Sequence, residues 1–144
     1  MQDVQSREDG RGIAIQRVGV KDVRLPFLIK KQAGGYQQVL ATITFTVSLP
    51  MEFKGTHMSR FLEILLPWSE KPLADEEMDA MLTEALDRLH AEAAEVRLAF
   101  TYFVEKSAPF SGRTSLLDVD ASFTGRKRRG MPMEFELGLS MPFR

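Results

Sequence analysis

The sequence predicts an α+β domain, an antiparallel sheet with two helices packed on one face, and three patterns predict it. Val39, Ala41, Ile43, Phe45, Val47 and Leu49 alternate with Gln38, Thr42, Thr44, Thr46 and Ser48, the period of a half-buried strand. Met58, Phe61, Leu62 and Leu65, and then Met78, Met81, Leu82, Ala85, Leu86 and Leu89, recur at helical spacing. Three further alternating runs follow the second helix. Strands with one apolar and one polar side pack most economically as a sheet whose apolar face is covered by both helices.

Taken in order, residues 1–12 are polar and read as an extended arm, and residues 13–144 read as a single module. Gly34-Gly35 supplies the positive φ angles of a tight turn, so a hairpin pairs roughly residues 16–31 with 36–49. After Pro50 the chain turns at Gly55, and Thr56 is placed to cap the first helix. Pro67 and Pro72 are expected to break the chain into a short irregular loop. The second helix is expected from Asp75 to Ala91, capped by Asp75, with Glu76 and Glu77 at the positive end of its dipole. Strands then follow at Val96–Val104, Leu117–Phe123 and Met133–Phe143, the last two joined by a turn from Gly125 to Gly130.

Composition narrows the function. A chain of 144 residues can bury a real core. Its formal net charge of -1, from 19 basic and 20 acidic residues, gives no global field for nucleic acid or an anionic membrane, so any anionic ligand is held by local charges. With no cysteine there is no disulfide, thiolate metal site or cysteine nucleophile, and two well-separated histidines do not make a metal centre. The start lacks the blocks of a signal peptide and no apolar run reaches the ~20 residues of a membrane span, so the chain reads as soluble and cytoplasmic.

The densest cluster of polar donors is Lys54-Gly55-Thr56-His57-Met58-Ser59-Arg60-Phe61, at a strand-to-helix junction. A helix start is well suited to present donors to an anion, and His57 serves either there or as a hydrogen-bonded margin of the core. Lys54 and Arg60 offer a point charge and a planar fork to an anion, and Arg60 has an alternative partner in Glu63. Thr56 and Ser59 read as capping or backbone-bonding groups, because no general base stands beside them. His90 falls near a helix C-terminus, where an imidazolium suits the dipole. Glu134 and Glu136 share a polar strand face and read as solvated. Arg126-Lys127-Arg128-Arg129, without interleaved aromatics, reads as a solvated turn rather than a nucleic-acid site.

Taken as words in order, Asp3-Val4-Gln5-Ser6, Arg17-Val18-Gly19-Val20-Lys21, Lys54 to Phe61 and Lys106-Ser107-Ala108-Pro109-Phe110-Ser111-Gly112 resemble the amino-terminal half of GTP cyclohydrolase type IB. The resemblance implies the tunnelling fold (T-fold), whose sheets join edge to edge across modules and subunits, hence a homo-oligomer or a pairing with a C-terminal half. It implies GTP as substrate, opened by metal-assisted hydrolysis to 7,8-dihydroneopterin triphosphate and formate in pterin and folate synthesis. Lys54, Thr56, His57, Ser59 and Arg60 become the expected substrate-binding residues, the cations against triphosphate oxygens. In that family a cysteine of a Cys-Pro-Cys segment, a histidine and a glutamate hold a divalent metal, zinc or manganese. Met141-Pro142-Phe143-Arg144 stands where that segment is expected to begin, and none of those ligands is in the chain. The expectation is a module inactive alone, with a non-catalytic assembly module as the alternative.

Overall fold

The structure, a computed structural model, describes residues 14–50, 57–107 and 114–140. The expected arm 1–12, Lys54, Thr56, most of the Lys106–Gly112 segment and Met141–Arg144 lie outside the described residues. Strands β1 (Ile15–Lys30) and β2 (Tyr36–Pro50) precede helix α1 (Met58–Ser69), a two-residue strand β3 (Pro72–Leu73) and helix α2 (Asp75–Arg88). Strands β4 (Ala93–Ser107), β5 (Thr114–Arg128) and β6 (Glu134–Ser140) complete the order. The six strands form one sheet, β3-β1-β2-β4-β5-β6, antiparallel except where β3 joins β1 in parallel. This α+β layout is that of a T-fold-like module, with a mixed rather than wholly antiparallel sheet.

The β1–β2 hairpin turns at Gly34 and Gly35, both at positive φ (105° and 79°). The alternation of β1 changes phase: Val18 and Val20 share the core face with Val23, Leu25, Phe27 and Ile29. A bulge makes this possible, since Val20 pairs with Phe45 and Val23 with Ile43, so Lys21 and Asp22 together oppose one residue. Asp22 takes the left-handed conformation at φ 57°. Beside it, a Cβ on Gly19 would lie 2.0 Å from the Phe45 carbonyl oxygen, so only glycine fits.

Every expected core residue of β2 is buried, and Phe45 meets Phe61 of α1 edge to face at 5.2 Å between ring centroids. Phe61, Ile64 and Leu65 of α1 and Met78, Met81, Leu82, Ala85 and Leu86 of α2 complete the core. The β2–β4 ladder runs only from Thr42–Ala99 to Ser48–Ala93. Beyond it the Gln37 side chain replaces main-chain pairing: its Nε2 donates to the Phe103 carbonyl at 3.0 Å and its Oε1 accepts from Phe103 N–H at 2.9 Å.

Several sequence expectations are corrected. Helix α1 is N-capped at His57 rather than Thr56, and it continues through Pro67 to Ser69. Proline in the last turn forfeits one bond, while Glu70 and Lys71 N–H still close on the Pro67 and Trp68 carbonyls at 3.3 and 3.2 Å. Pro72 lies in β3 rather than in a loop. Ala74, not Asp75, precedes α2, and the Glu77 carboxylate accepts its N–H at 3.0 Å. The helix stops at Arg88 in a Schellman motif, with Ala91 N–H on Leu86 O at 3.0 Å and His90 N–H on Asp87 O at 3.4 Å. His90 itself carries the left-handed φ of 53°, so its backbone, rather than a charged ring, ends the helix. Strand β5 runs through the expected Gly125–Gly130 turn as far as Arg128, because Glu95 and Glu134 both pair with Arg126.

The basic run is not a solvated turn. Lys127 Nζ meets Asp79 at 2.6 Å, and Arg126 reaches Glu95 at 3.5 Å and Glu136 at 3.4 Å. Arg129 Nη2 donates to the Leu86 and Ala91 carbonyls at 2.7 and 2.8 Å. Three of these four cations join α2 or neighbouring strands, which a residue list cannot reveal because every partner but Glu136 is more than thirty residues away.

Candidate functional site

Two groupings of polar side chains lie towards the end of the sheet where β2 finishes at Pro50. The first is the start of α1. His57 adopts extended backbone (φ -84°, ψ 153°), makes no side-chain capping bond and is exposed, as is Ser59. Arg60 N–H donates to the His57 carbonyl at 2.9 Å. The guanidinium of Arg60 turns the other way: its Nη2 donates to the Arg88 carbonyl at 2.8 Å, satisfying an orphan acceptor at the end of α2. Glu63 is taken by Arg88 at 3.2 Å, so the alternative Arg60–Glu63 pair does not form. Of the five expected substrate-binding residues, His57, Ser59 and Arg60 thus fall within the N-cap and first turn of one helix, with Arg60 committed to the joint between the helices.

The second grouping is a cleft of about 370 Å³ on the sheet face opposite the helices. Its floor is Thr46, Ser48 and Ala93, and its walls carry Arg17, Glu95 and Arg126. The register explains the assembly: Arg17 pairs with Ser48, Thr46 with Glu95, and Glu95 with Arg126, all on one face. Arg17 Nη2 donates to Thr46 Oγ1 at 2.9 Å and to Glu95 Oε1 at 3.0 Å. Two guanidiniums therefore share the Glu95 carboxylate, and Arg128 and Glu134 stand at the rim. More guanidinium than carboxylate lines the cleft, a composition suited to an anion. Glu134 and Glu136 are exposed, with Glu136 on Arg126.

Inspection of the sequence missed Arg17, Glu95 and Arg126 as a group. Arg17 belonged to one of the recognised words, and alternation alone put each residue on a polar face. Their convergence depends on the β1–β2–β4–β5 register. No three His, Cys, Asp or Glu side chains come together to hold a metal ion among the described residues. These residues do not fit a divalent metal centre.

Comparison with known proteins gives the family. A model described as Type I GTP cyclohydrolase folE2 matches residues 1–144. The chain is similar to a protein named GTP cyclohydrolase FolE2 from Azoarcus sp. (strain BH72), 44% identical over 140 residues, 97% of this chain and 52% of that protein. It is also similar to proteins of the same name from Bordetella avium (strain 197N), 46% identical over 142 residues, and Aromatoleum aromaticum, 41% identical over 140 residues. These alignments cover 99% of this chain and 53% of the first, and 97% and 51% for the second. The chain spans about half the length of the curated relatives it matches. A match along the whole chain, on a T-fold-like module, makes this chain a member of the Type I GTP cyclohydrolase folE2 family.

Proposed function

We propose that this chain is the amino-terminal module of a FolE2-type GTP cyclohydrolase, which converts GTP to 7,8-dihydroneopterin triphosphate and formate by metal-assisted hydrolysis. The observation that carries the reading is the alignment of nearly the whole chain with about half of relatives named GTP cyclohydrolase FolE2. In this reading Lys54, Thr56, His57 and Ser59 contact GTP, while Arg60 sets the position of that segment by holding α1 on α2. The arginine-rich cleft supports it by offering donors to an anionic substrate. The divalent metal, zinc or manganese, takes its ligands from polypeptide outside these residues. No described helix is long and apolar enough to cross a membrane, and a pterin-forming enzyme of this kind works in the cytoplasm without nucleic acid.

The test is complementation. Formate release from GTP is measured for the chain alone, for the remaining segment of a longer relative alone, and for the two mixed with zinc or manganese. The expected result is turnover only in the mixture, lost on chelation. Formate release by the chain alone would overturn the division of labour, and GTP binding to neither component nor mixture would overturn the substrate. A non-catalytic assembly module is the second reading, favoured by the bare apolar strand β6, and it predicts association without GTP binding.

A further inference from the structure

We propose that the helix-free face of the sheet carries a second anion site, in which the free guanidiniums of Arg24 and Arg97 hold the phosphate of a hydroxylated phosphomonoester whose body points to Asp120. The inference does not rest on the reading above, which uses none of these three residues. The site is an open trough of about 740 Å³, and it shares no lining residue with the arginine-rich cleft. Register builds it. Arg24 pairs with Thr42, Thr42 with Ala99, Ala99 with Ser122 and Ser122 with Gly138, and directly opposed residues share a face. Small side chains in succession make the floor, while Arg97 and the opposed pair Thr101 and Asp120 flank Ala99 as its two walls. Gly138 does not take a positive φ, so the backbone does not demand glycine there. A Cβ on it would lie 2.6 Å from Ser122 Oγ, so glycine keeps room for a hydroxyl that has no partner among the described residues.

The charges on the trough select its ligand. Arg17 and Arg126 are spent on Glu95, whereas Arg24 and Arg97 are exposed and make no ion pair or hydrogen bond among the described residues. Two strand spacings and two residues separate them, which puts their Cα atoms about 12 Å apart, a span that two extended arginine side chains close onto one group above Thr42. A carboxylate has only two oxygens, and one guanidinium fork fills both. A phosphomonoester has three free oxygens on a tetrahedron and about two negative charges, so it bridges two forks, with the Thr42 hydroxyl as a further donor. Asp120 sets the other end. Its carboxylate meets the Thr101 hydroxyl at a long 3.4 Å, which leaves acceptor capacity for a ligand hydroxyl. The same carboxylate repels a second anionic group and so disfavours a polyphosphate or a nucleic-acid backbone. A hexose phosphate, anionic at one end and hydroxylated at the other, has the asymmetry that these two walls require.

Binding of glucose 6-phosphate to the purified chain is measured by titration calorimetry at low salt and located by amide NMR spectra. The expected result is saturable binding that moves the amide signals of Thr42, Ala99 and Ser122. Arg24→Gln and Arg97→Gln should each weaken it about 10-fold, while Arg17→Gln, which removes the same charge from the other cleft, should change it by less than about 2-fold. Inorganic phosphate, lacking the hydroxylated body, should bind roughly 5-fold more weakly. On Asp120→Asn, inorganic triphosphate should gain affinity while glucose 6-phosphate loses it. Since neither Arg24 nor Arg97 has a partner to lose, their variants should melt within about 2 °C of wild type, which separates lost binding from lost folding. A folded wild-type chain without saturable glucose 6-phosphate binding overturns the site. So does binding that survives both arginine variants, or that Arg17→Gln abolishes. Equal affinity for inorganic phosphate overturns the phosphomonoester assignment. GTP turnover in the complementation experiment enters none of these outcomes, so the two readings fail separately.

Discussion

Gly19 is a position where one methyl group decides whether the sheet can close. Its added Cβ would fall 2.0 Å from the Phe45 carbonyl oxygen and 2.6 Å from Thr46 Cα, and both contacts are backbone, so neither can swing aside. Gly19→Ala is expected to lower unfolding free energy by about 3 kcal/mol, read from urea denaturation. A loss below about 0.5 kcal/mol would show that β1 and β2 do not approach so closely. A second residue-scale device is the Lys30–Glu77 pair at 2.6 Å. Burial pushes the Glu77 carboxyl up, yet hydrogen bonds from Lys30, its own backbone N–H and that of Ala74 outweigh it and hold the carboxyl below the ordinary value. The same hydrogen bond to Glu77 holds Lys30 above its ordinary value. A depressed carboxyl contributes stability above its unfolded pKa of about 4.3, and the contribution fades as pH falls through the folded value. A raised amine contributes below about 10.4 and loses it as pH rises through the folded value. Thermal melts between about pH 6 and 3 should therefore show a shallower acid decline in Glu77→Gln, whose side-chain oxygen can still accept the Ala74 N–H.

At the scale of elements, the C-terminus of α2 gathers much of the tertiary cross-linking. Arg60 from α1 takes the Arg88 carbonyl, Arg129 from the end of β5 takes those of Leu86 and Ala91, and Trp68 Nε1 donates to Glu84 at 2.8 Å. Cations at this end also meet the negative pole of the helix. Arg129→Ala should cost about 1.5–3 kcal/mol, the range for hydrogen bonds involving a charged group, with an unchanged m-value. Loss of less than about 0.5 kcal/mol would mean that water replaces the guanidinium without penalty. The helix interiors and the strand alternation were legible in the sequence because each rests on local periodicity. The helix ends were not: Thr56 and Asp75 had capping chemistry, but the chain enters α1 through His57 and α2 through Ala74. Likewise, the extension of β5 to Arg128 is imposed by neighbours on both sides, which outweigh the turn signal of Gly125 and Gly130.

Across the whole molecule, the sheet is covered by helices over four strands and bare at β6, while its opposite face bears the arginine-rich cleft. Neither surface includes a metal-ligand cluster among the described residues. Adding zinc or manganese to the isolated chain should therefore leave its melting temperature within about 1 °C, since a cation stabilises a fold only by binding it. In the complemented enzyme, chelation should abolish formate release. Metal-dependent stabilisation of the isolated chain by several degrees would place a site within it and overturn the reading of missing ligands.

Alternating and helical periodicities, the glycine pair at Gly34 and the words shared with the resembled family determined by themselves the element order apart from the short strand β3, the covered face and the family to expect. Local chain chemistry carries that information, because period and turn propensity are properties of neighbouring residues. Tertiary structure alone decided that Arg60 and Arg129 hold helix ends and that a bulge at Lys21–Asp22 rephases β1. It alone decided, too, that Arg17, Glu95 and Arg126 converge and that Leu137 is left bare. Each of these depends on strand register or on which part of the sheet the helices reach, and both are fixed by contacts between residues far apart in the chain.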